Sequence, residues 1–251
     1  MKIKICFLLT LAHLALQVSA QQFISKGIIE FEVITNVKKT MGNNSFDEQL
    51  KELMPTFKTA YYNYTFADNK SIFKFDRYDE KKAKLPEFLK RDEDINEWYS
   101  DFSTGVTYMQ KNIWGSPINF KDSIATLQWK LSNESRMIAG FNCRKATGKI
   151  MDSVYVFAFY TDEITISGGP CSINGLPGMI MGVTIPRLYM SMLATKITVN
   201  DVKESTIKPI AVKKYYTNKE IKTMLDKRIE SFNMSDEDKK YIDQMYWNTL
   251  L

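Results

Sequence analysis

Ser153-Val154-Tyr155-Val156-Phe157-Ala158-Phe159-Tyr160-Thr161 is the stretch that decides the fold class. Seven successive apolar residues, β-branched or aromatic apart from one alanine, are too few for a buried helix. They suit a strand covered on both faces. Met179-Ile180-Met181-Gly182-Val183-Thr184-Ile185 is a second stretch of the same kind. Outward from this pair the chain is a run of short, aromatic-rich strand signals. They fall at Thr59–Ala67, Ser71–Arg77, Glu97–Phe102, Thr104–Lys111, Ile113–Phe120, Thr126–Leu131, Arg136–Gly140 and Asn142–Thr147, then Thr195–Val199 and Thr206–Val212. Phe23–Val37 opens the series by alternation, with Ile29, Phe31 and Val33 beside Glu30 and Glu32. Short strands parted by turn residues, such as Asp68-Asn69, predict an antiparallel meander.

Two segments depart from this pattern. Ser45–Leu53 reads as a short helix ended by Pro55, and Asp79–Asn96 as a charged surface excursion. The tail then changes period. Thr217-Asn-Lys-Glu220 is a capping box, followed by Ile221, Met224, Leu225, Ile229 and Phe232 at helical spacing. Ser235–Asp238 starts a second helix with Tyr241, Ile242, Met245 and Tyr246 on one face. The expected fold is therefore mainly β: a curved antiparallel sheet or half-barrel meander with two helices near the C-terminus. Residues 21–216 form the β domain, and 217–251 a helical pair packed on the sheet.

Residues 1–20 read as a cleaved signal peptide. Lys2 and Lys4 precede an apolar run from Ile5 to Leu16, and Val18-Ser19-Ala20 fits a small-x-small cleavage site. The run is too short to span ~30 Å of hydrocarbon, and no later segment reads as transmembrane. The expected location is the periplasm or cell envelope, or the medium. Removing Lys2 and Lys4 lowers the formal charge of +5 to +3, with acids and bases interspersed. That is no footprint for nucleic acid. The single histidine, His13, leaves with the signal. An imidazole-free chain excludes Ser-His and Cys-His nucleophile activation and every His-containing zinc site.

Between the two most apolar strands lies Gly168-Gly169-Pro170-Cys171-Ser172-Ile173-Asn174-Gly175-Leu176-Pro177-Gly178, with four glycines and two prolines. Pro177-Gly178 suits the central positions of a type II turn, where proline presets φ and glycine accepts φ > 0. The loop runs into a strand and not into a helix N-terminus, so it is no phosphate cradle. Gly169, Pro170, Gly175, Leu176, Pro177 and Gly178 are read as a structural crossover that sets how the flanking strands meet.

Gly175-Leu176-Pro177-Gly178-Met179-Ile180 resembles the signature of the GLPGLI family of exported Bacteroidota proteins. Trp129-Lys130-Leu131, Ile138-Ala139-Gly140-Phe141-Asn142-Cys143-Arg144-Lys145-Ala146 and Tyr160-Thr161-Asp162-Glu163-Ile164 followed by Gly169-Pro170 resemble its other motifs in order. The resemblance covers about residues 125–185. Met179 stands where leucine is usual, Cys171 where an aromatic is common, and Phe159 where tryptophan is common. The family has no assigned activity, so the resemblance implies export and brings no catalytic residues. Its members often sit near outer-membrane transport systems.

The remaining chemistry is sparse. Cys143 and Cys171 are the only cysteines after Cys6, and an oxidising envelope favours their pairing as a disulfide; the alternative is two free buried thiols. Met179, Met181, Met190 and Met192 form two Met-x-Met pairs that suit Cu(I), and also suit a core. Asp162 and Glu163 are a carboxylate pair for a hydrolase without histidine. Ser123 and Ser153 follow aspartate in Asp-Ser-hydrophobic triplets that resemble a Bacteroidota O-glycosylation signal. No cofactor is implied. The expectation is a non-enzymatic binding or accessory protein, with an apolar ligand on the curved sheet or an outer-membrane transport or secretion component as partner.

Overall fold

A computed structural model of the chain describes residues 23–43, 45–90, 93–113, 115–151, 153–231 and 239–251. The signal peptide expected over 1–20 lies outside the described residues. Among the described residues, eleven strands form one antiparallel sheet. They are β1 (Lys26–Asn36), β2 (Phe57–Ala67), β3 (Lys70–Tyr78), β4 (Glu97–Asp101), β5 (Val106–Ile113), β6 (Ser116–Ser123), β7 (Trp129–Ile138), β8 (Phe141–Ile150), β9 (Val154–Thr161), β10 (Met179–Ile185) and β11 (Met190–Thr198). Their order is β6-β5-β4-β3-β2-β1-β11-β10-β9-β8-β7, so β1 pairs with β11 and two meanders meet at the middle.

The two edges, β6 and β7, are consecutive in the chain, with only residues 124–128 between them. Six Cα steps reach at most about 22 Å. Eleven flat strands would set those edges roughly 48 Å apart at ~4.8 Å per strand. The sheet must therefore curl until its edges approach, yet β6 and β7 do not pair, and it remains an incomplete barrel.

Register gives the inner face. On β1 the alternation buries Ile29, Phe31 and Val33 and leaves Glu30 and Glu32 outside, where they meet Arg77 and Lys82. Directly opposite Phe31, Tyr62 pairs with Phe75 across a bulge, Tyr64 with Phe73, and Phe73 with Trp98. The rings of Tyr62 and Phe73 stack at 4.9 Å, and Phe31 meets Phe73 edge-on at 5.9 Å. Such rings bury large apolar areas and gain a further ~0.5–1.5 kcal/mol per favourable pair. On the other half, Val154, Val156, Ala158 and Tyr160 face inward, and Ile180, Val183 and Met192 continue the surface.

Three segments complete the architecture. Residues 162–178, between β9 and β10, fold onto the inner face and bury Ile164, Ile166, Ile173 and Leu176. Residues 199–217 cross the outer face, where Ile207 packs on Tyr99 and Ala67, and Tyr216 forms one bridge with Phe120 at the β6 edge. The capping box forms as expected: Glu220 N donates to Thr217 Oγ1 (3.2 Å) and Thr217 N to Glu220 Oε2 (2.7 Å). It launches helix Asn218–Ser231, which buries Ile221 and Leu225; helix Lys239–Leu250 follows and buries Trp247.

The strand expectations need correction in four places. Thr126–Leu131 and Arg136–Gly140 are not two strands but one, β7, whose register shifts between Leu131 and Ser135. Thr206–Val212 is not a strand; it begins in a 3-10 turn, Glu204–Thr206, and crosses the outer face, where Ile207 packs on Tyr99 and Ala67, before the single bridge of Tyr216 to Phe120. The last strand begins at Met190, not Thr195, because the 3-10 turn Pro186–Leu188 and Tyr189 at φ +51° close a tight hairpin after β10. Val37 opens a helical turn, Val37–Thr40, in place of ending β1.

Candidate functional site

The inner face is not filled completely. A cavity of about 320 Å³ remains, bounded by strands from both meanders, the glycine-rich loop and the end of the last helix. Its apolar wall is Val33, Tyr62, Phe73, Trp98, Met190 and Met192; its polar lining includes Lys58, Glu93, Asn96, Lys111 and Cys171. Trp98 is fixed at its far side: its indole Nε1 donates to the main-chain oxygen of Leu251 at 2.9 Å. Ser172 Oγ donates to the same oxygen at 3.0 Å, which ties the loop to the last helix.

Lys111 is the unusual member. It follows Thr107 and Met109 on the inward side of β5 and is only 8% exposed. Its ammonium donates to the main-chain oxygen of Asn248 and stands 5.4 Å from the centre of the Trp98 ring. Burial disfavours the charged form and lowers its pKa to about 8. Glu93, the cavity's carboxylate, is held in an ion pair with Lys58. Composition and motif reading passed over Lys111. Its parity with Met109 alone does not mark it, because Tyr108 and Gln110 share the other face of β5 with equal regularity.

Cys143 and Cys171 are free thiols, not a disulfide. Register explains why. Arg144 lies opposite Tyr160 on the inner face, so Cys143, one residue earlier, points to the other side of the sheet. Cys171 sits on the inner side, its Sγ 4.0 Å from Met192 Sδ. Burial raises both thiols, Cys143 to about 11 and Cys171 to about 12, so neither is a thiolate at neutral pH.

Of the four methionines, Met190 and Met192 line the cavity, whereas Met179 and Met181 are buried elsewhere. Asp162 pairs with Arg144 at the surface (3.3 Å), and Glu163 N donates to Thr161 Oγ1 (3.3 Å); neither carboxylate lines the cavity. Ser123 and Ser153 are exposed, at the end of β6 and in the β8–β9 turn. Asp122 accepts from Asn218 N at 3.0 Å and so tethers the first C-terminal helix. Among the described residues no group of three His, Cys, Asp or Glu could hold a metal ion, and no helix is long and apolar enough to cross a membrane.

The glycine-rich loop docks by close backbone contact. Gly178 has φ +126°, and a Cβ there would fall 2.1 Å from Thr161 O. A Cβ on Gly169 would fall 2.6 Å from Ile173 O. The turn is not type II. Gly178 N donates to Leu176 O at 2.8 Å, a three-residue turn about Pro177. Gly175 N donates to Ser167 O, and Ile173 N to Pro170 O. Leu176 is buried, and Trp129 Nε1 donates to Asn174 O at 2.9 Å.

Residues 148–182, which span β9, this loop and most of β10, match a family described as a protein of unknown function (Porph_ging). No curated protein matches the chain. Among solved structures, one of PNGF-II in space group P21 superposes with a TM-score of 0.50 and 13% identity, over 80% of this chain and 33% of that one. A second structure of PNGF-II, in space group C2, gives 0.45 and 11%, over 76% and 30%. The chain spans about a third of the length of PNGF-II, and the likeness is one of fold.

Proposed function

We propose that this chain is a non-enzymatic binding protein of the cell envelope, which holds a small, largely apolar ligand on the inner face of its curved sheet. The observation that carries the reading is the 320 Å³ cavity walled by Trp98, Tyr62, Phe73, Val33, Met190 and Met192. That volume lies at the lower end of the ~300–1,000 Å³ typical of small-molecule sites, and the aromatic and thioether wall supplies the apolar contact such sites use, beside a polar side formed by Lys58, Glu93, Asn96, Lys111 and Asn112. The non-enzymatic reading is supported by the lining itself. It offers no imidazole, a cysteine whose thiol is held protonated, a carboxylate paired with lysine, and in Lys111 a buried lysine that still carries its proton at neutral pH. Export and membership of the GLPGLI family are supported by the leader and by the hexapeptide at Gly175–Ile180, which falls inside the matched span of 148–182. Native mass spectrometry of the protein purified from its own envelope, before and after solvent extraction, tests the reading. A co-purifying small molecule lost on extraction supports it. A bare mass in both samples, with no shift on adding apolar probes, rejects it.

A second reading has its own observation. Cys171 Sγ lies 4.0 Å from Met192 Sδ, and Met190 lines the same cavity. Thiolate and thioether donors suit Cu(I). A Cu(I) competition titration of wild type against Cys171→Ser separates the readings: equal, weak binding by both proteins eliminates copper.

A further inference from the structure

We propose that the ligand is an anion, a small carboxylate whose head group is received by Lys111 and whose apolar body lies along Trp98, Phe73, Tyr62 and Met192. The inference rests on the cavity being a binding site and adds the charge of what it binds.

Lys111 is a buried cation beside a void. Taking an ammonium out of water is costly unless a counter-charge and hydrogen bonds replace its hydration. Here the replacement is partial. One neutral main-chain oxygen, that of Asn248, and the face of Trp98 are its contacts, and among the described residues it makes no ion pair. Glu93, which also lines the cavity, is in direct contact with Lys58 and acts on Lys111 only through space, without a hydrogen bond. A core evolved only for packing would place an apolar side chain at this inward position, as it does at Met109. A lysine with one open side, facing a void, is completed by an anion entering that void.

Size and shape narrow the class. At the ~30 Å³ that one water occupies in the liquid, 320 Å³ admits on the order of ten non-hydrogen atoms. A phosphorylated lipid would extend well beyond the cavity, and a bare inorganic anion would leave the aromatic wall uncovered. A carboxylate with an aliphatic or monocyclic tail fills both ends, and octanoate has the expected size.

The test uses the purified full chain with octanoate and its neutral counterpart octanol, titrated by isothermal calorimetry into wild type and Lys111→Met. Melting curves of both proteins confirm folding. The expected result is binding of octanoate by wild type, at least tenfold weakened in Lys111→Met, with octanol binding equally to both. Equal octanoate affinity in the two proteins, or octanol binding without octanoate binding, overturns the anion assignment and leaves the apolar-ligand reading standing. Failure of both probes to bind at millimolar concentration overturns both.

Discussion

Replacing Lys111 by methionine should make the protein more stable, the reverse of what most substitutions in a packed interior do. Burial holds the folded-state pKa near 8 against an ordinary value of 10.5. At ~1.36 kcal/mol per pKa unit, the gap corresponds to about 3 kcal/mol by which the fold disfavours the charged form. The sign follows from proton counting. Below pH 8 the folded and unfolded chains both carry the proton, and the folded state bears the full penalty. Between pH 8 and 10.5 the folded lysine gives up its proton while the unfolded one keeps it, so stability rises with pH. Methionine has a similar unbranched stem and no charge, and removes the penalty at every pH. Losing the bond to Asn248 O offsets ~1 kcal/mol. The expected gain at pH 7 is then about 2 kcal/mol, or ~4–8 °C in melting temperature for a chain of this length. Melts of both proteins at pH 7 and at pH 10, followed by circular dichroism, decide the matter. Burial holds the Cys143 and Cys171 thiols at about 11 and about 12, so both keep their protons in the folded protein at pH 10 and the difference isolates Lys111. A variant less stable than wild type at pH 7, or a difference that does not shrink by pH 10, refutes the reasoning.

The glycine-rich loop supplies a paired test: Gly178→Val is expected to cost upwards of ~3 kcal/mol, because its Cβ would strike Thr161 O at a φ of +126°. Gly175→Ala should cost only ~1–2 kcal/mol, since φ is +88° there but the nearest atom, Trp129 Nε1, is 3.7 Å away. Urea denaturation measures both, and equal losses would break the argument from close contact. For the thiols, alkylation without reductant followed by peptide mapping should leave Cys143 unmodified in the folded protein and modify both Cys143 and Cys171 in concentrated guanidinium. A peptide pair joined through these two cysteines would contradict the opposite-face placement.

How much of this was legible beforehand varies by physical cause. Strand periodicity is local, and β1, β2, β3 and β9 lie within a few residues of where alternation and apolar runs put them. The capping box at Thr217–Glu220 is likewise a four-residue matter and forms as read. Thr206–Val212 misled because β-branched residues also suit an extended crossing segment, and only the packing of Ile207 on Tyr99 and Ala67 across the outer face tells the two apart. The disulfide expectation failed for a related reason. Compartment and loop length speak to whether a bridge is favourable, but the face on which each cysteine stands depends on pairings such as Arg144 with Tyr160.

The cavity shows the same limit most clearly. Its lining comes from β1, β2, β3, β4, β5 and β11, together with the glycine-rich loop and the end of the last helix. No spacing in the sequence links Lys58, Trp98, Lys111, Cys171 and Met192. They converge because the sheet curls, and it curls because residues 124–128 cannot reach across a flat one. Within β5, Thr107-Tyr108-Met109-Gln110-Lys111 offers two equally regular faces, each mixing polar and apolar residues. Tyr108 and Gln110 would make as good an inner face as Met109 and Lys111 until Trp98 is known to stand opposite Met109. A charged residue at an inward position is therefore visible only after register is known, and it is at such positions, where packing alone would not choose the residue, that a binding role is to be sought.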